Sequence, residues 1–161
     1  MVRSVHVSLF SHCFSLLRMA KDAVDTPAVA DIILAGASVE ESREERDIRF
    51  MRAAIREAQV AMEDGEVPVG CVFVDRESGK VIGRGGNNTN RTRNGTRHCE
   101  MVAIDTVIEL YGPTVLQRCR LYVTLEPCIM CAAALLQVGL AEVVFGAPNT
   151  RFGGCGGVFS V

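Results

Sequence analysis

Two short segments that are well separated along the chain restrict how it can fold. His98 and Glu100 form an H-x-E motif, and Cys128 and Cys131 form a C-x-x-C motif that follows Pro127. A proline just before the cysteines is typical of a helix start, and the apolar periodic stretch after His98 predicts a second helix. Imidazole and thiolate groups share one metal ion only when they come together. We therefore expect the first turns of these two helices to meet.

The residue types in the two motifs are those of a catalytic zinc site. His98, Cys128 and Cys131 supply three ligands, and the N–H groups and dipole at a helix start favour the thiolate form of cysteine. A fourth tetrahedral position stays open for water, whose pKa zinc can lower to about 7. Glu100 lies close to a ligand in sequence, and we assign it the role of moving protons. The sequence therefore predicts an enzyme that uses Zn²⁺, with Glu100 as its catalytic residue.

Other interpretations of the same residues stay open at this point. The C-x-x-C pair could be a thioredoxin-like redox pair, or half of a structural zinc site. The further ligands of a structural site would come from Cys99, Cys119 or Cys155. An isolated histidine is more often a hydrogen-bonded core or surface residue, and an isolated glutamate in a first helical turn is an ordinary favourable charge. The combination of Glu100 with an open fourth position favours the catalytic interpretation.

Length and composition fit one small domain. The chain has 161 residues, of which 48% are hydrophobic, enough for one core and too few for two large domains. Its net charge of −2 gives no general indication of nucleic-acid binding. Seven cysteines, an odd number, together with metal ligands that need reduced thiols, predict a reducing compartment. No run approaches the roughly 18 apolar residues of a membrane span, so we expect no membrane partner.

The chain is predicted to divide near residue 43. Residues 44–161 form the zinc-dependent domain, and residues 1–43 form an N-terminal extension that is poorly ordered or used for targeting. Residues 1–21 contain no acid, three basic residues and four serines, a composition typical of organellar transit peptides. We expect a location in the cytoplasm, the nucleus or both, with organellar targeting by the extension as the alternative.

Periodic segments beyond the extension alternate between helix and strand. Apolar residues at helical spacing predict a helix over 44–64, and the β-rich runs 67–74 and 81–83 predict a hairpin. A helix, a strand, a helix and a strand are then predicted at 98–111, 120–125, 128–138 and 141–146. Such alternation is typical of an α/β domain whose later strands run parallel and whose sheet is covered by helices.

Four segments carry a resemblance to a known family. They are E-V-P-V-G at 66–70, N-G-T-R-H-C-E-M-V-A-I-D at 94–105, L-Y-V-T-L-E-P-C-I-M-C-A-A-A-L at 121–135 and N-T-R-F-G-G-C-G at 149–156. The zinc motif alone marks the wider cytidine deaminase-like superfamily. The P-V-G and R-F-G-G-C-G segments resemble those of the tRNA-specific adenosine deaminases. The resemblance covers residues 46–159 and points to the catalytic subunit, deaminase subunit 2, of the eukaryotic heterodimeric enzyme.

The resemblance implies a fold, an activity and a partner. The fold would be a three-layer α/β/α cytidine deaminase-like fold with a mixed sheet. The activity would be zinc-dependent hydrolytic deamination of adenosine to inosine at wobble position 34 of tRNA anticodons. By motif matching, His98, Cys128 and Cys131 bind Zn²⁺ and Glu100 shuttles protons. The partner would be a related, non-catalytic deaminase subunit that forms a heterodimer with this chain and helps to hold the tRNA.

Four further residues are predicted to contact the substrate. The resemblance implies that Asn87 contacts the target base and that Val69 lines the base pocket. Arg151 and Phe152 supply a cation and a ring that could stack on an unpaired base, although Phe152 could equally be a packing residue. The bases of an anticodon loop are already unpaired, which lowers the cost of placing one in a pocket.

A basic segment near the zinc motif favours a nucleic acid as the substrate. There is no acid between residues 78 and 99, and the segment could hold a phosphate backbone or be an ordinary solvated loop. Its five cations are Lys80, Arg84, Arg91, Arg93 and Arg97.

Two departures from the family pattern leave alternative functions open. Cys99 stands where most relatives have alanine, and the chain ends at Val161, where relatives continue, so we expect a domain truncated at its C-terminus. One alternative function is a small-molecule cytidine, deoxycytidylate or guanine deaminase, which would use the same metal chemistry. Another is an inactive truncated subunit.

Overall fold

A computed structural model describes residues 3–6 and 41–161 of the chain. The predicted helices and strands of the domain are all present, with bounds that differ from the predicted ones by no more than three residues. A short helix and a 3₁₀-helix were not predicted. In chain order, the elements are strand β1 (Arg3–His6), helix α1 (Arg43–Glu63), strand β2 (Gly70–Asp75), strand β3 (Val81–Gly86), helix α2 (Thr89–Thr92), helix α3 (Cys99–Tyr111), a 3₁₀-helix (Pro113–Arg118), strand β4 (Cys119–Leu125), helix α4 (Ile129–Gln137) and strand β5 (Glu142–Ala147).

The strands form one mixed sheet in the order β1-β5-β4-β2-β3. Strands β4 and β5 run parallel, with Leu121 opposite Val143. Strand β2 runs antiparallel to both β3 and β4. The later strands are therefore parallel and the sheet is mixed, which confirms the α/β prediction.

Adjacent residues of the strands face two separate cores, as the alternation of side chains along a strand requires. Phe50 of α1 packs with Val72 on one face of the sheet. Val107 of α3 and Leu135 of α4 pack with Phe73 on the other face. Helices thus cover both faces, which confirms the three-layer arrangement.

A capping box defines the start of helix α1. The Ser42 hydroxyl accepts a hydrogen bond from the Glu45 backbone N–H at 3.2 Å, and the Glu45 carboxylate accepts one from the Ser42 N–H at 2.9 Å. This reciprocal pair satisfies two of the N–H groups that a helix start leaves without partners. The folded unit therefore includes Ser42, two residues before the predicted boundary at 44.

Strand β1 lies in the part of the chain that was predicted to be an extension. It pairs in parallel with β5, with Val5 opposite Val144, and so adds an edge strand that the sequence pattern did not predict. The other residues of the extension up to residue 40, namely 1–2 and 7–40, lie outside the described residues, as does most of the segment with transit-peptide composition.

Among the helices that the structure describes, none is both long enough and apolar enough to cross a bilayer.

Candidate active site

The starts of helices α3 and α4 bring the three predicted zinc ligands together. His98 is the N-cap residue of α3, Cys128 is the N-cap residue of α4, and Cys131 lies in the first turn of α4. The Nδ1 atom of His98 is 3.5 Å from Sγ of Cys128 and 3.5 Å from Sγ of Cys131. All three ligand atoms lie within 4.8 Å of one another. Two motifs that are distant in sequence therefore form one cluster.

The spacing of these atoms fits a tetrahedral zinc ion. A nitrogen about 2.1 Å and a sulfur about 2.3 Å from such an ion lie about 3.5 Å apart. The nitrogen–sulfur separation in the cluster is 3.5 Å. Within residues 3–6 and 41–161, no fourth histidine, cysteine or acidic residue joins the cluster. A structural site with four ligands is therefore not formed by the described residues, and three ligands with one open position are typical of catalytic zinc.

The thiols of Cys128 and Cys131 differ in how readily they ionise. A hydrogen bond from Cys131 lowers the pKa of Cys128 to about 5 despite burial, and contacts with His98 act in the same direction. The same hydrogen bond and burial raise the pKa of the Cys131 thiol. A divalent cation is the group that would stabilise the second thiolate, because metal binding favours deprotonated cysteine.

Glu100 lies in the first turn of α3 and lines the same cavity as His98 and Cys128. Its side chain is buried, and burial raises the pKa of the carboxyl group. The Cys99 thiol donates a hydrogen bond to Oε2 of Glu100 at 3.1 Å, which partly opposes that rise. A carboxyl group with a raised pKa, held beside a metal cluster, is suited to accept and return protons during a reaction.

A cavity of about 280 Å³ opens in front of the cluster, and the sheet order divides its lining into two sides. We call the three lining residues that come from the metal motifs, His98, Glu100 and Cys128, the floor. The side next to β2 and β3, which we call the Asn87 wall, consists of Val67, Val69, Asn87 and Thr89. The side next to β4 and β5, which we call the Phe152 wall, consists of Leu125, Glu126, Asn149 and Phe152.

Asn87 lines the cavity and also holds helix α3. Its Oδ1 atom accepts a hydrogen bond from the backbone N–H of Cys99 at 2.9 Å. The carbonyl group of the side chain is therefore occupied, and no described residue accepts a hydrogen bond from its amide nitrogen. That nitrogen is the donor available to a substrate, and its contact with the target base stays a prediction.

Two more of the predicted substrate-binding residues line the cavity and one does not. Val69 and Phe152 are part of the lining, and the ring of Phe152 is 54% exposed rather than packed in the core. Arg151 lies outside the lining, with its guanidinium group 5.2 Å from the centroid of the Phe152 ring. The roles of these three residues in RNA binding stay predictions.

The five cations of the basic segment differ in their surroundings. Arg84 forms an ion pair with Glu57 at 3.3 Å, and Arg97 forms one with Asp105 at 2.5 Å. Lys80 precedes β3, whose other end leads to the Asn87 wall. These three are therefore poor candidates for contacts with a substrate in the cavity. The cations next to Thr89 of the Asn87 wall are Arg91 and Arg93.

The cavity also contains residues that the sequence patterns did not single out. Glu126 and Asn149 belong to the Phe152 wall, and Thr89 belongs to the Asn87 wall. A signal for Glu126 does exist in the sequence: a carboxylate ends an apolar strand directly before Pro127. The later glycine-rich segment offers many backbone N–H groups that require an acceptor.

Residues 44–147 match the family model of the cytidine and deoxycytidylate deaminase zinc-binding region. The matched range contains both the H-x-E and the C-x-x-C motif. The clustering of the zinc ligands and the family match therefore agree on Zn²⁺ as the metal.

Three named proteins are similar to this chain. It is 50% identical over 112 residues to the tRNA-specific adenosine deaminase subunit tad2 of Schizosaccharomyces pombe, covering 70% of this chain and 28% of that protein. It is 48% identical over 118 residues to tRNA-specific adenosine deaminase 2 of Xenopus tropicalis, covering 70% and 68%. A solved structure from studies of A-to-I editing by tRNA:A34 deaminases has a TM-score of 0.64 and 39% identity, covering 68% of this chain and 82% of that one. The chain spans less than a third of the fission yeast protein and about two thirds of the frog protein.

Proposed function

We propose that this chain, which belongs to the tRNA-specific adenosine deaminases, converts the adenosine at wobble position 34 of a tRNA anticodon to inosine. One molecule of water is consumed and one molecule of ammonia is released. The observation that carries the proposal is that a buried glutamate, Glu100, lines one cavity together with His98 and Cys128 of the three-residue zinc cluster. The relatives are named tRNA-specific adenosine deaminases, and the similar solved structure comes from work on A-to-I editing by tRNA:A34 deaminases at the wobble position.

The proposed chemistry needs a nucleophile and a proton carrier. A zinc ion held by His98, Cys128 and Cys131 would lower the pKa of water and so supply the nucleophile. Glu100 accepts a proton from the water that attacks C6 of the adenine ring and donates it to the neighbouring nitrogen, N1. Glu100 then transfers the second water proton to the exocyclic amine. The C6–N bond breaks, ammonia leaves, and a carbonyl group remains at C6.

The cavity walls would place the base for this reaction. The amide nitrogen of Asn87 is a donor for an acceptor atom on the ring, and Val69 offers an apolar surface on the same wall. Phe152, on the opposite wall, presents an exposed ring on which a base can stack. A base held between the walls would meet Glu100 at the floor.

The surroundings of the cavity favour RNA over a free nucleoside. Arg91 and Arg93 lie beside the Asn87 wall, where they can neutralise phosphates that flank the target nucleotide. A free nucleoside carries no such phosphates. The anticodon loop presents unpaired bases, so the energy needed to turn one into the cavity is small.

A heterodimer with a related, non-catalytic deaminase subunit is proposed as the working form. Several apolar side chains of α4 and of the C-terminal segment are more than a third exposed, which is typical of a surface that binds another protein. They are Ile129, Met130, Leu136, Val158, Phe159 and Val161. This surface lies next to the start of α4, so a partner bound there would be close to the substrate.

The proposed location is the cytoplasm, the nucleus or both. The six cysteines in the described part of the chain are free thiols, as expected in a reducing compartment. Fusion of residues 1–43 to a fluorescent protein would test the alternative of organellar targeting. Mitochondrial or plastid fluorescence would overturn the proposed location.

The activity is tested by incubating the full chain, loaded with zinc and mixed with a candidate partner subunit, with tRNA that has adenosine at position 34. The cDNA is then sequenced, since inosine is read as G and deaminated cytosine as T. A change from A to G confined to position 34 is the expected result. Glu100→Ala should bind zinc and leave the tRNA unchanged.

Three other results would contradict the proposal. A change from C to T would assign the chain to cytosine deamination. Unchanged tRNA, combined with release of ammonia from free cytidine, deoxycytidylate or guanine, would identify a small-molecule deaminase. Unchanged tRNA and no ammonia, with zinc bound and the partner present, would identify an inactive subunit.

A further inference from the structure

Glu126 is a buried carboxylate that the proposed chemistry does not use. It stands between the end of β4 and Cys128, and only 2% of its surface is exposed. Within the part of the chain that the structure describes, no arginine, lysine or histidine forms an ion pair with it. A buried carboxylate without a cation is costly unless hydrogen bonds replace the lost water.

Backbone N–H groups of one loop supply those hydrogen bonds. We call residues 149–157 the glycine-rich loop. Oε2 of Glu126 accepts a hydrogen bond from the N–H of Asn149 at 2.9 Å. Oε1 accepts one from Cys155 at 3.0 Å and one from Gly157 at 2.8 Å. The carboxylate thus joins the beginning and the end of the loop, and both of its oxygens are engaged.

The glycines of the loop allow it to wrap closely around the carboxylate. A Cβ atom added at Gly153 would lie 2.6 Å from Oε1 of Glu126, closer than real Cβ contacts. A Cβ atom added at Gly157 would overlap Oε2. Neither glycine has a backbone angle that requires glycine, so the need is for space. Gly153 and Gly157 therefore leave the space that Glu126 occupies, whereas a Cβ atom at Gly154 would meet Ile129 and Ala132 of α4.

The same loop connects Glu126 to the cavity and to the zinc ligands. The carbonyl oxygen of Phe152 accepts a hydrogen bond from the N–H of Ile129 at 3.0 Å, and that of Pro127 accepts one from Gly154 at 2.9 Å. These bonds attach the loop to the start of helix α4. Asn149 and Phe152 are the loop residues that line the cavity.

We propose that Glu126 is a positioning residue whose carboxylate fixes the glycine-rich loop, so that Phe152 forms the wall against which the substrate base is held. The role concerns binding of the substrate and not proton transfer, because loop N–H groups engage both carboxylate oxygens. The part of this inference that concerns the substrate rests on the proposed function. The part that concerns the loop does not.

Glu126→Gln tests the fixing of the loop without any substrate. A glutamine has the same shape, but its NH₂ group cannot accept a hydrogen bond, so at least one of the three bonds is lost in either orientation. Loss of a hydrogen bond to a charged group predicts amide hydrogen exchange about tenfold faster across residues 149–157. Zinc content should equal that of the wild-type protein. The measurement uses the full zinc-loaded chain and hydrogen exchange followed by mass spectrometry.

Glu66→Gln is the matched control, since Glu66 is a second buried carboxylate that accepts backbone N–H groups, from Asn90 and Arg91. It should accelerate exchange near residues 89–91 and leave residues 149–157 unchanged. Gly157→Ala disturbs the same hydrogen bonds through the loop, because its methyl group displaces the Glu126 carboxylate without removing it. It should reproduce the pattern of Glu126→Gln even if the glutamine variant does not fold.

Kinetics on tRNA test the consequence for the substrate. We expect Glu126→Gln to raise KM about tenfold while kcat stays within about twofold, since weaker positioning of the base mainly affects binding. Unchanged exchange at 149–157 in both variants would overturn the proposal, and so would a fall in kcat at constant KM. If the wild-type protein does not modify tRNA, the proposed function fails, and the exchange data still decide whether Glu126 fixes the loop.

Discussion

The two walls of the cavity are each built on one buried carboxylate, and they differ in what that carboxylate holds. Glu66 accepts hydrogen bonds from the N–H groups of Asn90 and Arg91 at 3.0 and 2.9 Å, and so holds helix α2 beside the Asn87 wall. Glu126 accepts three N–H groups of the glycine-rich loop, and so holds the Phe152 wall. In both walls, a single side chain satisfies backbone donors that a loop would otherwise leave without partners.

The difference lies in the loops. The segment held by Glu66 is exposed and carries cations, of which Arg91 and Arg93 are examples. The loop held by Glu126 has no cation except Arg151 and packs glycines tightly around the carboxylate. Charge beside the Asn87 wall can therefore be removed without a change in the shape of the cavity, whereas the Phe152 wall depends on close packing of its loop. We expect variants in the first wall to affect salt-dependent RNA binding and variants in the second to affect stability and the fit of the base.

The largest expected effect comes from the floor that the two walls share. Glu100→Gln removes the proton carrier and should lower kcat on tRNA by a factor of about a thousand, within the range for general acid–base catalysis. Binding of tRNA should change little, because both walls are intact. Glu109→Gln, an exposed change on the same helix, is the control. If Glu100→Gln retained its kcat, the assigned proton carrier would be wrong.

Gly153→Ala should distort the Phe152 wall and leave the Asn87 wall intact. The added methyl group would lie 2.6 Å from the carbonyl oxygen of Asn149 and 2.6 Å from the Glu126 carboxylate, so the loop must shift. Overpacking of this kind costs about 2 kcal/mol in the free energy of unfolding. Gly95→Ala, on the side of the Asn87 wall, has nothing within 4 Å of the new atom. Urea unfolding of both variants measures the contrast, and equal losses would refute the distinction between the walls.

The pH dependence of stability should identify the contribution of Glu66. Burial acts to raise the pKa of Glu66, but hydrogen bonds from Arg91, Asn90 and Thr89 outweigh it, so its folded pKa lies below the ordinary value of 4.5. A carboxyl group with a lowered pKa contributes stability that is complete above its unfolded pKa and is lost as pH falls through the folded pKa. The stability difference between wild type and Glu66→Gln should therefore be largest above pH 4.5 and shrink below it.

Urea unfolding at a series of pH values, with Glu109→Gln as the reference for an exposed carboxyl group, measures this difference. A difference that stays constant as pH falls below 4.5 would show that the hydrogen bonds to Glu66 do not favour its ionised form.

The smallest expected effect is that of a single cation beside the Asn87 wall. Arg93 has a φ of 50°, a left-handed conformation that asparagine also tolerates, so Arg93→Asn removes the charge with little strain. Binding of an anticodon stem-loop should weaken a few-fold, and the slope of log affinity against log salt should fall by about 0.7. Arg84→Gln, whose cation is already paired with Glu57, should leave the slope unchanged. Equal changes in slope for the two variants would contradict the claim that the cations beside the Asn87 wall contact the RNA.

The sequence was sufficient to predict seven helices and strands of the domain and the residues of the zinc cluster, but not α2 or the 3₁₀-helix. The spacing of apolar residues marks helices α1 and α3, and proline and cysteine mark the start of α4. These signals are local, because helix periodicity and helix starts depend on residues within about four positions of each other. The convergence of His98 with Cys128 and Cys131 could be inferred only because zinc requires all three donors at one point.

The sequence by itself thus determined seven of the helices and strands and the side chains that carry the chemistry, whereas the tertiary structure decided what completes the cavity. The N–H donors held by Glu126 come 23 to 31 positions after it, beyond the reach of any local rule. Pairing of β1 with β5 likewise joins residues near the start of the chain to residues beyond 140. The sequence does not indicate which distant carboxylate a given backbone N–H will bind, because every non-proline residue carries the same donor. Glu126 and the glycine-rich loop come close enough to form hydrogen bonds only when the helices pack on the sheet.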